Sequence, residues 1–279
     1  MPMTDPADPM VRTNITKVLQ NLHALGLKVV SDFDQDATDN NFWKTEPHTF
    51  FSKLPSTWLA PATSTLRHLT LYSDMYFGFF PKLDLKEVYF PHLKTLSLNK
   101  YTFFHDKQLD WILLHASTLT EIYLDDCPLL FEIAVSNQNK DRCNLEHDEW
   151  FRRDNDPSSV WGYRYARRWN NYFDSFSEKL PHLRHFRMGY DTQLRDFPPF
   201  EHETELPLWL VDERMQGFHD GVSFGSPYVA LECMDMHFEG TEGFLIYDEW
   251  APDWRLEDKK SYVALLKKIG QKEELRSRL

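Results

Sequence analysis

The segment WFRRDNDPSSVWGYRYARRW (150–169) sets five arginines, Arg152, Arg153, Arg164, Arg167 and Arg168, among Trp150, Trp161, Tyr163, Tyr165 and Trp169. Guanidinium groups alternating with flat rings can stack on the bases of single-stranded RNA. The same residues can instead pack their rings inward and pair their cations with acidic side chains. A formal net charge of −12 repels phosphate backbones and favours the second use. The stretch SDFDQDATDN (31–40) places Asp32, Asp34 and Asp36 at the first, third and fifth positions of a calcium loop. Ala37 and Trp43 stand where that loop needs its glycine and its last glutamate, so the stretch reads as a solvated acidic loop. His202 with Glu203 and Glu205 in HETE, and His182 with His185 in HLRH, lack the i, i+4 spacing of a helical metal-binding pair. A hydrolase using His202 and the acidic tail ranks last among the functional readings. No paired nucleophile and base, phosphate-binding loop or dinucleotide glycine pattern can be identified. The expectation is a protein without catalytic residues, metal or cofactor.

Composition narrows the classes further. Aromatic residues make up 15% of the chain and hydrophobic residues 42%, enough to order most of it. The N-terminal MPMTDPADPMVRT lacks the apolar run of a secretory leader, and no stretch approaches the ~18 apolar residues that span a bilayer. Cys127, Cys143 and Cys233 are odd in number and far apart in sequence. They read as free thiols in a reducing compartment, cytoplasmic or nuclear.

The elements that position these side chains follow from a repeated phrase. TSTLRHLTLYSD (63–74) and ASTLTEIYLDDCPLL (116–130) share S-T-L, followed by apolar residues three and five positions after the leucine. The frame L-x-x-L-x-L occurs as Leu66, Leu69, Leu71; as Leu93, Leu96, Leu98; as Leu119, Ile122, Leu124; and as Leu183, Phe186, Met188. A weaker copy is Leu22, Leu25, Leu27. The first three strong anchors lie 27 and 26 residues apart, inside the ~20–29-residue period of leucine-rich repeats. Longer gaps of 44 and 64 residues flank them and leave room for insertions near 31–48 and 136–175.

Ile15, Leu59, Ile112 and Phe176 sit seven residues before an anchor. DKQLDWILLHAS (106–117) carries an apolar helical face, with Asp106 as the expected N-cap. Each unit therefore reads as helix, turn and short strand. In the third unit Lys86 breaks the pattern, and Leu85 and Val88 are expected to serve instead. The position after each strand holds Asp74, Tyr101, Cys127, Asp191 and Val30, of which the Asp and Cys residues suit a turn.

The expected fold is α/β: a leucine-rich-repeat solenoid over 14–191, with short parallel strands on a concave face and helices on the convex one. A flexible N-terminus (1–13) precedes it. An irregular capping tail (192–279) follows, with a terminal helix over 257–269 whose stripe is Tyr262, Leu265, Leu266, Ile269 and whose C-cap is Gly270. Alternation in a strand turns the leucines inward and the residues between them outward. The expected partner-binding face is then His68, Thr70, Tyr72; Thr95, Ser97, Asn99; Glu121, Tyr123, Asp125; and His185, Arg187.

The phrase LDWILLHASTLTEIYLDDCPLL, the acidic-aromatic stretch after it and the terminal EDKKSYVALLKKIGQ resemble the C-terminal repeat region of filamentous-fungal F-box proteins, over about Ser64 to Gln271. That resemblance implies the substrate-recognition part of a Skp1–cullin–F-box ubiquitin ligase. The family's F-box, with its LP-x-E style opening, has no counterpart among the residues before Leu22. Contact with Skp1 is therefore expected only if an F-box lies upstream. The expected function is protein recognition of an unidentified substrate, with an RNA-binding solenoid using 150–169 as the alternative.

Overall fold

Apolar residues two apart in five short segments bring those segments together as one sheet. The computed structural model describes residues 9–30, 45–73, 75–137, 139–152, 160–189, 228–233, 245–247 and 255–271. Strands β1 (Ala24–Val29), β2 (His68–Ser73), β3 (Thr95–Asn99), β4 (Glu121–Asp125) and β8 (His185–Gly189) lie in the order β1-β2-β3-β4-β8, every pair parallel. Leu25, Leu69, Leu96, Ile122 and Phe186 oppose one another across it, and so do Leu27, Leu71, Leu98, Leu124 and Met188. All five sequence frames thus share one register. A slip of one residue would turn every one of these side chains out of the core.

Four helices precede strands: α1 (Pro9–Leu19), α2 (Thr45–Leu54), α3 (Asp106–Leu113) and α4 (Trp169–Lys179). Leu59, Ile112 and Phe176 are buried behind the sheet and Ile15 packs on the same core. The third unit has no helix between residues 81 and 94. Its turn buries Leu85 and Val88, as expected where Lys86 breaks the pattern.

The N-cap of α3 is His105, not Asp106. Its extended backbone lets Nδ1 accept the Lys107 N–H at 2.9 Å, while Gln108 Oε1 accepts the His105 N–H at 3.1 Å. The Asp106 carboxylate is engaged elsewhere, by Arg167 and by the Tyr165 hydroxyl at 2.9 Å.

A second sheet comprises β5 (Leu129–Ser136), β6 (Phe151–Arg152), β7 (Val160–Arg164), β9 (Tyr228–Cys233) and β10 (Leu245–Tyr247), in the order β10-β9-β5-β7-β6. The insertion after Ser136 therefore returns as a hairpin on β5, and the tail contributes two strands rather than irregular chain alone. Tail strand β9 runs parallel to β5, pairing Ile133 with Leu231. The pattern in YVALEC supports this, since Val229 and Leu231 alternate into a second core with Phe79, Phe80, Phe104, Leu130, Ile133 and Val135. Phe79 and Phe80, Phe104, and Leu130 come from the chain just after β2, β3 and β4. The chain following β2, β3 and β4 thus feeds both cores.

The terminal helix, α5 (Arg255–Lys268), starts two residues before the expected span. Leu265 and Leu266 are buried, and Tyr262 packs 5.4 Å from Phe173 and 5.9 Å from Phe186. Gly270 at φ +76 ends it, with the Gly270 N–H on Lys267 O and the Gln271 N–H on Leu266 O.

Candidate functional site

The outward positions of the parallel sheet form three rows across the strands. In the first, His68, Thr95, Glu121 and His185 stand opposite one another. Thr95 donates its hydroxyl to Glu121 Oε2 at 3.0 Å and lies 3.1 Å from Nδ1 of His68. With that proton given to the carboxylate, the Thr95 oxygen accepts, which places a proton on His68 Nδ1. Tyr123, in the second row, donates to the same Glu121 oxygen at 3.3 Å, and its ring lies 5.9 Å from that of His185. The result is one polar ladder over four strands, centred on a carboxylate held by two hydroxyl donors. In the third row Asn99 Nδ2 donates to Asp125 Oδ2 at 2.8 Å, and Lys28 Nζ stands 5.0 Å over the Tyr72 ring.

The eleven expected face residues are together on one face, but unequally open. His68, Tyr72, Glu121, Asp125, His185 and Arg187 are half-buried. Thr70, Thr95, Ser97, Asn99 and Tyr123 are buried, Ser97 and Tyr123 to 1% exposure. The buried centre of the face spans β2, β3 and β4. Around this buried centre stands a rim of long, half-buried polar and charged side chains. The rim chemistry is that of oriented hydrogen bonding: an imidazole pair, two carboxylates, a guanidinium and a phenol.

The Arg/aromatic segment is arranged differently. Trp150, Tyr165 and Trp169 are buried, and Trp161 and Tyr163 are partly so. Arg167 makes a two-point pair with Asp106, at 3.1 and 3.2 Å. Arg164 pairs with Glu132 at 3.5 Å and Arg168 with Glu257 of α5 at 3.7 Å. Burial pulls the Asp106 carboxyl up, but hydrogen bonds from Arg167 and Tyr165 outweigh it and hold the group below its usual value. Arg152 is exposed on edge strand β6, and Arg153 lies outside the described residues.

Cys127 is buried, its thiol 3.3 Å from the carbonyls of Leu98 and Asp125, and burial pushes its pKa well up. That is a turn anchor, not a reactive thiol. Cys143 is buried in the second core. Tyr101 and Val30, which hold the same post-strand position as Cys127, are respectively buried and exposed; Asp74 and Asp191 lie outside the described residues. The acidic stretch 31–40 and the HETE segment also lie outside them. Among the described residues no group of three or more His, Cys, Asp or Glu side chains could hold a metal ion. The dyad of His105 Nε2 and Glu149 Oε1 at 2.6 Å offers no base, because Nδ1 is already occupied by the Lys107 N–H.

Several residues with structural consequences carried no sequence signal. His115 is fully buried in α3's C-terminal turn, Asp258 is buried in the first turn of α5, and Gln271 follows α5. Lys140 is buried with Nζ 3.6 Å over the Trp161 ring. Each has a partner 21 to 88 residues away, beyond the reach of any local pattern.

What these residues define is an α/β protein with a five-stranded parallel sheet flanked by helices, neither sheet closing into a barrel among the described residues. No helix of the described chain is long and apolar enough to cross a membrane. No family model, no curated protein and no solved structure matches the chain.

Proposed function

We propose that the chain is a protein-recognition module, built as a leucine-rich-repeat solenoid, that holds its partner on the outward face of the parallel sheet. The observation that carries this reading is the ladder His68–Thr95–Glu121–Tyr123, which fixes polar side chains of separate repeats into one surface before any partner arrives. Fixing the rotamers in advance lowers the entropy lost on binding. The repeated register supports the solenoid, since units that share a frame bury a continuous core only by stacking. With the resemblance to fungal F-box proteins, the reading extends to the substrate-holding part of a ubiquitin-ligase receptor, which would meet Skp1 through an upstream F-box.

The test is a triple substitution on the rim, Tyr72→Ala, Glu121→Gln and Arg187→Ala. Gln at position 121 keeps an oxygen to accept the Thr95 and Tyr123 hydroxyls, so the fold is expected to persist, and the melting temperature checks that it does. Proteins captured from a fungal lysate by the parent chain are expected to lose enrichment by about tenfold or more on the variant, as for hot-spot loss. Unchanged enrichment, with the fold intact, would move the contact surface off this face. Binding to purified Skp1, with and without an F-box fused upstream, tests the ligase extension separately.

A further inference from the structure

The two ends of the parallel sheet are finished in opposite ways. At the β8 end, the side-chain amide of Gln271 accepts the Phe186 N–H and donates to the Phe186 carbonyl, both at 3.0 Å. In a parallel pair a sixth strand would meet the same two Phe186 groups with backbone groups of two of its residues. Helix α5 packs beside α4 through Tyr262, Leu265 and Leu266, where the helix of a sixth unit would lie. It is pinned there by Asp258, which is 3% exposed: its carboxylate accepts the Asn170 N–H at 2.8 Å and the Tyr228 hydroxyl at 2.6 Å.

At the β1 end, among the described residues, no strand pairs with the outer edge of β1. Helix α1 touches the helical turns of the second unit and leaves Val11 and Val18 exposed at 43% and 60%, while Val30, just past β1, is 56% exposed.

We propose that α5 with Gln271 is a stack terminator, and that the partner it holds off is a second copy of this chain, docking its first unit (α1–β1) against β8. The occupant follows from register. Set beside β8 in the frame used by every neighbouring pair, a second copy's Leu25 opposes Phe186 and its Leu27 opposes Met188. Its β1 edge, unpaired among the described residues, would take the two bonds that Gln271 now makes, and its α1 would bring Val11 and Val18 to the place α5 vacates. Such a contact is head-to-tail and does not close on itself, so it grows into open chains. A charged or occupied edge is how sheets avoid this. The inference rests on the shared register and does not depend on which protein the outward face recognises.

Analytical ultracentrifugation of full-length variants tests it. The parent chain is expected to sediment as a monomer of 33.2 kDa. Leu265→Asp with Gln271→Ala, which releases α5, is expected to give an apparent mass that climbs with concentration to about twice that of one chain and beyond. Adding Val11→Glu and Val18→Glu, both at exposed positions, is expected to return the released variant to monomer. Gln271→Ala alone keeps α5 packed and is expected to associate only at higher concentration. The proposal is overturned if Gln271→Ala stays monomeric throughout, or if the valine substitutions leave the association unchanged, which would mark it as unspecific clumping. A parent chain already associated through Val11 and Val18 would overturn it too, since nothing would then be terminated.

Discussion

His115 shows how much one side chain can carry. The third unit lacks a helix, so the backbone of its turn needs partners from outside, and the Phe90 N–H finds one in His115 Nε2 at 3.2 Å. The other ring nitrogen, 3.0 Å from the Trp111 carbonyl, must carry the proton. Tyr89 and Trp111 stand around the ring, and burial lowers its pKa. A proton on Nε2 would face an N–H and have no acceptor. The native state therefore resists a proton that the unfolded chain takes up near its ordinary value of about 6.5. The stabilisation is fully present above that pH and is lost as pH falls from there toward the lowered native value. The urea midpoint is expected to drop between pH 7.5 and 5.5. In His115→Gln, whose amide oxygen can still accept the Phe90 N–H, that drop is expected to shrink; an equal drop in both proteins would assign it to other groups.

At the scale of elements, the strands are specified by alternation and the turns between them by backbone geometry. Lys100 and Asp126, which follow β3 and β4, both adopt positive φ, at 56° and 48°. Gly78, in the turn after β2, sits at φ +112, and an added Cβ would lie 2.8 Å from the Tyr101 ring and 3.0 Å from the Thr102 carbonyl. Gly78→Ala meets both a backbone penalty and a collision with a buried ring, so it is expected to cost about 1–3 kcal/mol in chemical denaturation. Leu96→Ala, at the centre of the sheet with no exposure, is expected to cost about 2–5 kcal/mol. If the alanine at 78 proves the more harmful, the turn rather than the core dominates that unit. The helices were less legible than the strands. The third unit has none, because its turn buries Leu85 and Val88 without a helical face. The cap of α3 fell on His105 because Asp106 is drawn away by Arg167, a residue 61 positions on.

For the whole molecule, a strand's place in the parallel sheet makes local stability depend on position. Units β2, β3 and β4 have neighbours on both sides, whereas β1 has one. An edge strand has a partner on one side only and opens at lower free energy than a central strand. Amide hydrogen exchange is expected to be slowest for Leu69, Leu96 and Ile122 and faster for Leu25. Uniform protection from Leu25 to Phe186 would mean that the sheet opens only as one unit.

The parallel sheet is written into local patterns of the chain. Each frame carries its own inward and outward alternation, and five copies of one frame have one register that buries them all. The sequence also carried the apolar stripe and glycine stop of the terminal helix, and it brought the eleven outward residues to one face. Which of those eleven are buried and which are only half-buried depends on the packed molecule. Ser97 and Tyr123 share the outward alternation of the half-buried rim, yet they are buried, because burial depends on groups that the fold brings near and no local pattern specifies. The second sheet was hidden for the same reason. Strand β9 meets β5 across about a hundred residues, a pairing settled by the shape of two cores and by no local pattern.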